Sequence, residues 1–583
     1  MKNKSLVISE MYWRLFPPQY LSLLTTYFCN IINGFVVGNF LNNEAMAALG
    51  FVSPFTILIS FISSISASGS KIICGKLIGR NKLDKLKNVF TNSILIMIVF
   101  GVVLFGIINL QTSTIAGLLG ASSDTIEYVV QYLRGISIGI IPMLMVPLLT
   151  AYLQLTNENG MSLIGAGILG VANLVFSLLS VNVFDAGIFG IGVSTSLTQL
   201  VAMLFFVIVI LIRKKILKFN IKLADYNEIS EIFKLGSPSA LANVFYSIRN
   251  IIYNSRVSLI AGTNGVSALA LLNTSCGIFD AFNIVQGAVV LMLACIFVGE
   301  KDKVQLKNLF RITTLYGVII GMAKIVFIIL LGKQMLMLYG AKGDVLNMAY
   351  ELYIYYSLSM PLNMITVGII SMHHSLERIK YANVIYFINA LLVPMVCCFA
   401  LDKVFGIYAV WISYSLAEVV SIIILYVVPC VKRRKIVTSF DELVGFNSNF
   451  KLDNKMSIVV KNIDEVVLVS KQVEEFCKKN DIDSTRSMMC GLCLEEMAGN
   501  VVEHGFTKGK RTNYSIEIFV ACEEDKLLLR IRDDAPSFDP HTKLAAYNPD
   551  DPCKNMGIRL VNKIAKEMNY QSYFGMNVLT INL

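Results

Sequence analysis

Charge is what this sequence has least of. Only 15% of its 583 residues are Asp, Glu, Lys or Arg, while 55% are hydrophobic. That balance excludes an ordinary soluble enzyme, in which about a quarter of the residues are charged. With a mean hydropathy of +0.64 the chain is expected to cross a bilayer many times, and at this length to hold more than one domain. A removable leader is missing as well: MKNKSLVISEMYWRLFPPQ has no short apolar core followed by a small-residue cleavage site, so the first apolar run is expected to stay as a span. The twelve cysteines lie scattered through apolar runs and suggest no disulfide framework. One CxxC, Cys490 and Cys493, has neither the second pair nor the His that zinc spacing requires, and both positions suit the apolar side of a helix. No G-x-x-x-x-G-K-[ST] loop occurs, which excludes direct powering by a Walker-type ATPase.

What is present is length in apolar runs. Stretches able to cross about 30 Å of hydrocarbon run roughly 17–41, 47–75, 89–110, 128–153, 161–181 and 188–212, then 237–261, 266–298, 309–331, 347–372, 381–401 and 406–430. The connections after even-numbered spans hold most of the basic residues, among them Lys76, Arg80, Lys82, Lys85 and Lys87, then Arg213, Lys214, Lys215 and Lys218, and finally VKRRK. The positive-inside rule therefore puts both termini in the cytoplasm of a cell whose plasma (inner) membrane holds the chain. From Lys455 onward there are 17 basic and 19 acidic residues, so the net charge of +10 belongs to the membrane part. Loop topology explains that excess, and no nucleic acid partner is expected.

The two sets of spans are copies. GRNKLDKLKN at 79–88 meets GEKDKVQLKN at 299–308, GASSD at 120 meets GAKGD at 340, Asn30-Ile31-Ile32 falls on Asn250-Ile251-Ile252, and Pro18 on Pro238, all at one shift of 220 residues. Four coincidences at one offset mean a duplicated six-helix unit. Two such halves around a central cavity let one site face each side of a membrane in turn.

KLGSPSALANVF at the start of the second half, INGFVVGNFL with AMAALG in the first, and the AYLQLTNENG loop leading into GVANLVFSLLSVNVFDAGIFGIGVSTSLTQLV resemble multidrug and toxic compound extrusion (MATE) transporters. The resemblance covers about residues 10–430. It implies efflux of small organic, often cationic, xenobiotic compounds by antiport with a coupling cation, H⁺ or Na⁺. Many bacterial members carry an Asp in the first span in a D-x-x-x-x-G context; the matching position here is Asn33, five before Gly38. An Asn does not take up and release a proton near neutral pH. The other ionisable residues inside spans are Lys71, Arg249, Arg256, Asp280, Lys324 and Glu418. Charges at such depth usually face a bundle interior or a partner. At about 1.5 Å per residue Arg249 lies some 20 Å into its helix. Arg249 and Asp280 are expected to line the transport cavity with Asn33, and Glu418 is a second titratable candidate. The competing reading is a structural ion pair between helices. His373 and His374 are expected to be a polar loop end.

After VKRRK the composition turns ordinary, giving three expected regions: a transporter over 1–430 (halves about 10–215 and 230–430), a linker over 431–454 and a compact α/β domain over 455–583. KMSIVVK alternates like a strand, NIDEVVLVSKQVEEFCKK has helical spacing with Asn462 as N-cap, and SMMCGLCLEEMAGNVVEHG is the next helix. YSIEIFVACEE and KLLLRIRDDAP read as a hairpin, MGIRLVNKIAKEMNY as a helix, and QSYF with NVLTINL as closing strands. Glu496, Asn500 and His504 recur every four residues on one helix face. That E-x-x-x-N-x-x-x-H, a strand ending in DDAPSFDP, NMGIRLV at a helix start and GMNVLTI follow one another in this order. The order resembles GHKL ATPases (histidine-kinase-like), nearest to the anti-sigma-factor serine kinase branch.

An Asn amide oxygen is able to ligate Mg²⁺ beside phosphate oxygens, so Asn500 is the expected metal ligand, and Glu496 the expected acceptor of a hydroxyl proton. The resemblance implies a cofactor site for ATP made by Asn500, His504, Asp533 (to the adenine amino group), Ala535, Gly557 and Thr580. Two family glycines are replaced, by Ala535 and Asn555. The chain is thus expected to be a polytopic α-helical membrane protein, twelve helices in two repeats, with a C-terminal α/β sandwich that binds ATP and Mg²⁺. Two functions remain open: a transporter regulated by its tail, or a membrane sensor. In the second, a serine-kinase-like domain phosphorylates or sequesters a cytoplasmic partner of the anti-sigma-antagonist type.

Overall fold

The computed structural model describes residues 4–121, 123–213, 219–220, 222, 224–445, 454–506, 514–523, 526–545 and 556–583. Its contacts fall into two units, one of Phe16–Asp302 and Leu309–Gly445, the other of Met1–Leu15, Lys303–Asn308 and Phe446–Leu583.

The first half of the membrane part is α1 (Lys4–Phe40), α2 (Asn43–Gly79), α3 (Leu86–Leu118), α4 (Ile126–Ser137), α5 (Ile140–Leu155), α6 (Asn159–Asn182) and α7 (Gly187–Ile212). Among the described residues eleven helices are long and apolar enough to cross a membrane, and the pair α4 and α5, bent by 51°, raises the number to twelve. The second half is α8 (Tyr226–Ser275), α9 (Gly277–Gly299), α10 (Lys303–Leu338), α11 (Gly343–Ser375), α12 (Ile379–Phe405) and α13 (Tyr408–Arg433). All twelve expected spans are present. Two of them meet within α8, which is broken at Gly262 (φ +57°, ψ −149°), a conformation that only glycine adopts without strain. A short helix, α14 (Phe440–Val444), follows, capped by the Ser439 hydroxyl.

Apolar side chains point outward around this bundle, with Leu110 86% and Leu330 65% exposed, as expected where lipid rather than water is the solvent. Inside, small residues bring helices into backbone contact. A Cβ placed on Gly79 would lie 2.1 Å from the Ile296 carbonyl oxygen, and one on Gly299 would lie 2.4 Å from that of Lys76. Gly79 and Gly299 are equivalent positions of the repeat, so α2 and α9 touch near the pseudo-symmetry axis, at the end of the bundle that carries basic connections.

The C-terminal unit is a five-stranded antiparallel sheet in the order β1-β2-β3-β5-β4. In chain order its elements are β1 (Lys455–Val460), α15 (Ile463–Lys479), α16 (Ser484–Asn500) with a π-turn over Val501–Gly505, β2 (Ile516–Glu523), β3 (Lys526–Asp533), α17 (Pro540–Ala545), α18 (Met556–Ile564), β4 (Glu567–Tyr573) and β5 (Met576–Asn582). Asn462 caps α15 as expected, accepting from the Glu465 N–H at 2.8 Å. Val466, Val469 and Val473 of α15 and Cys490, Cys493, Leu494 and Met497 of α16 join Ile516, Ile518, Leu529, Ile531 and Ile581 in one core. The expected helix over 556–570 is corrected: it stops at Ile564, and Glu567–Tyr573 is an edge strand paired with β5. The helical pattern ends there because Met568 and Tyr570, two apart, turn to the core face of a strand laddered to β5, and ladder pairing outweighs the weak helical propensity of so short a run.

Candidate functional site

One cavity of about 550 Å³ opens in the membrane unit. Its walls come from α1, α2, α8, α9, α11, α12 and α13, and it is lined by Arg249, Asp280 and Glu418 together with Lys71, Tyr246 and His374. Three of the four expected cavity residues therefore share one space. Asn33 does not line it. Its side chain is 6% exposed, with Oδ1 accepting from Asn173 Nδ2 and Ser177 Oγ, each at 3.2 Å, and Nδ2 donating to Thr195 Oγ1 at 3.2 Å. This cluster in the first half fills both acceptor sites of the Asn33 amide oxygen and one of its N–H donors, and contains no Asp, Glu, His, Lys or Arg.

The charges sit in the second half. Arg256 is accounted for by its ion pair with Asp402, and Lys324 donates to the Phe279 carbonyl and to Asn283 Oδ1, both at 2.9 Å. Asp280 accepts from the Tyr356 hydroxyl. Glu418, 5% exposed, accepts from Asn363 Nδ2 at 2.7 Å through Oε1, while its buried Oε2 meets no donor. Among the described residues neither carboxylate forms an ion pair with Arg249, so the structural-pair reading fails for these residues. His373 and His374 are corrected from a loop end to buried positions of α11, 2% exposed. His374 Nε2 lies 2.6 Å from the Leu235 carbonyl. Just beyond α11, Glu377 meets Lys76 of the other half at 2.5 Å, and that cation holds its carboxyl below the usual range although burial pushes it up.

In the C-terminal unit α16 carries Glu496 and Asn500 one turn apart. Asn500 Nδ2 back-bonds to the Glu496 carbonyl at 2.6 Å, which leaves Oδ1 available to a metal ion. A Cβ on Gly557 would lie 1.9 Å from Glu496 Oε2, so the start of α18 comes this close to the carboxylate only because it has no side chain there. His504 follows in the π-turn and is exposed. Asp533 ends β3 on the helix side of the sheet. Its Oδ1 accepts from Asn577 Nδ2 (2.8 Å) and from the Ala535 N–H (3.0 Å), and among the described residues no donor meets Oδ2. An adenine amino group matches that free acceptor, and Asn500 Oδ1 matches a hard cation, so the residues present fit Mg²⁺-ATP. Ala535 lies 3.0 Å from where a Cβ on Gly505 would be, so its methyl occupies room beside the base site. Thr580 is corrected. Register pairs it with Arg530, while Asp533 pairs with Asn577, so Thr580 lies on the opposite face of the sheet. Asn577 is the true neighbour. No sequence signal marks it until the strands are paired. Asn555 lies outside the described residues.

Burial pushes the Asp533 carboxyl up to about 7 despite the hydrogen bonds from Asn577 and Ala535 that lower it. The folded unit therefore binds a proton that the unfolded chain gives up near pH 4, and stability falls as pH rises from about 4 to about 7. Asp533→Asn is expected to stabilise the domain at pH 8 by an amount on the order of 1–3 kcal/mol, read as a higher melting temperature. The gain vanishes at pH 4, and adenine nucleotide binding is lost. A lower melting temperature at pH 8 would refute the assignment.

A duplicated twelve-helix bundle around one polar cavity defines a secondary transporter. The chain belongs to the MatE family, whose model matches residues 18–179 and again 238–399, and residues 459–583 match the histidine kinase-like ATPase domain. It is similar to the multidrug export protein MepA of Staphylococcus saprophyticus, 22% identical over 424 residues, covering 72% of this chain and 92% of that one. It is also similar to the probable multidrug resistance protein YoeA of Bacillus subtilis, 24% identical over 408 residues, covering 68% and 88%. A multidrug resistance MATE family transporter solved in an outward-facing conformation shares the fold at TM-score 0.67 and 17% identity, over 71% of this chain and 93% of that one.

Proposed function

We propose that the membrane unit exports small organic, xenobiotic compounds by antiport with a cation across the plasma membrane. Both termini are cytoplasmic, and the C-terminal domain binds Mg²⁺-ATP as a regulator. The names of the relatives support export of drugs. One observation carries the coupling: Glu418 is a buried carboxylate on the cavity wall with a free oxygen. Its other oxygen accepts an amide N–H of Asn363, which leaves the unpartnered Oε2 as the place for a proton. The proton is the favoured partner because the carboxylate keeps a buried oxygen without a donor, and Na⁺, which needs a shell of oxygens such as those of Glu418, Asn363 and Asn389, is the alternative.

The test is flux of a fluorescent substrate through the full chain in proteoliposomes under imposed pH or Na⁺ gradients. A pH gradient is expected to drive it and a Na⁺ gradient not. Removal of residues 446–583, or Asn500→Ala in the full chain with ATP present, is expected to change the rate severalfold and leave the gradient dependence intact. The sensor reading is favoured by one observation, the Glu496 carboxylate held a turn from Asn500. Unaltered flux without the tail, together with phosphorylation or capture of an anti-sigma-antagonist-type protein, would establish that reading instead.

A further inference from the structure

We infer that the substrate of this cavity carries an acidic group, a carboxylate, sulfonate or phosphate on an aromatic or apolar body, and that Arg249 receives it. The inference rests on the transporter reading of the same cavity and names its substrate class. Arg249 is the centre of the argument. Its guanidinium carbon lies 4.9 Å from the ring centre of Tyr246, 5.6 Å from Tyr253 and 5.3 Å from Tyr414. Three ring faces soften the burial of a cation but offer no acceptor for its N–H groups. Arg249 Nε is buried with no hydrogen-bond partner, and so is the Tyr414 hydroxyl beside it. Both residues line the cavity, and two orphaned polar groups are costly to leave unmet. A planar oxyanion matches the forked guanidinium and takes the phenol as a third donor.

The other charges point the same way. Lys71 also lines the cavity, and among the described residues it has no hydrogen bond or ion pair. Each cavity carboxylate accepts one hydrogen bond, Asp280 from the Tyr356 hydroxyl and Glu418 from Asn363, whereas among the described residues neither cation meets an acceptor. An organic cation entering here would meet Lys71 and Arg249, neither of which is ion-paired to a carboxylate among the described residues. The repeat shows that this is a feature of one half: at the 220-residue shift the first copy has Cys29 where the second has Arg249.

The experiment measures binding of three dansyl probes to the purified full chain in nanodiscs: dansylglycine (anionic), dansylamide (uncharged) and dansylamidoethyl-trimethylammonium (cationic). Dansylglycine is expected to bind at least about tenfold more tightly than the other two. Arg249→Gln is expected to lose at least about tenfold for dansylglycine while dansylamide stays within about twofold, and Arg249→Lys to recover part of the loss. Equal affinities, preference for the cationic probe with loss in Asp280→Asn or Glu418→Gln, or no saturable binding of any probe would overturn the inference. The ranking on the wild-type chain decides even if Arg249→Gln does not fold. Flux separates the two readings. If the cationic probe is moved by the gradient and dansylglycine is not, transport stands and the anion site falls. If dansylglycine binds through Arg249 but is never moved, the site stands and the transport reading falls.

Discussion

Glu418→Gln is expected to abolish gradient-driven flux while the protein still folds and binds substrate. The side chain keeps its shape and its Oε1 contact with Asn363, so the bundle loses little packing. What it loses is a cavity-wall carboxyl whose buried Oε2 has no partner, and hence a group able to hold a proton in one orientation of the transporter and release it in the other. Substrate exchange without a gradient should persist in this variant, because exchange needs the cavity and not the coupling proton. Asn33→Ala is the contrasting case. Its amide makes three hydrogen bonds, with Asn173, Ser177 and Thr195, and carries no charge at any pH near neutral, so its removal should lower stability by roughly 1–2 kcal/mol and leave proton dependence intact. Asp280→Asn decides whether the second carboxylate shares the role. Normal pH-driven flux in Glu418→Gln would remove that residue from coupling.

Gly299→Leu is expected to stop turnover by a different route. In this conformation α2 and α9 are in backbone contact where Gly79 and Gly299 meet, and even a methyl on Gly299 would lie 2.4 Å from the Lys76 carbonyl oxygen. Backbone atoms do not move aside as a flexible side chain does, so the added bulk parts the helices. A transporter that works in two conformations then loses the one that needs this contact. A penalty of roughly 3 kcal/mol shifts such an equilibrium more than a hundredfold. Cys295, fully buried beside Gly75 of α2, reports the outcome. In Gly299→Leu it should become reactive to a water-soluble maleimide, as read by peptide mass spectrometry, while in the wild-type chain it stays protected. Protection of Cys295 with normal flux would show that the contact tolerates separation.

Both predictions begin from features visible in the sequence and depend on facts that were not. The pairing of Gly79 with Gly299 follows from the repeat, but nothing in a linear pattern says that equivalent positions touch. Arg249, Asp280 and Glu418 stand out because charged residues in apolar spans are rare, and the structure brings all three to one wall. The tyrosine cage of Arg249 was latent in the helical spacing of Tyr246, Arg249 and Tyr253, whereas Tyr414 comes from a distant helix. In the tail, Glu496 and Asn500 were legible because four residues make about one turn. Thr580 was misplaced because face and register on a strand depend on its partner, and a shift of one residue reverses the face.

The sequence by itself determined the spans, the duplication, the charge topology and the order of elements in the C-terminal domain. These are properties of hydropathy, periodicity and local capping, which act within a turn or a strand. Only the tertiary structure decided which charges are satisfied and which are left open. Whether a buried carboxylate or guanidinium finds a donor or acceptor depends on side chains a hundred or more residues away. In a medium without water, that partner decides whether the group holds helices together or faces the cargo.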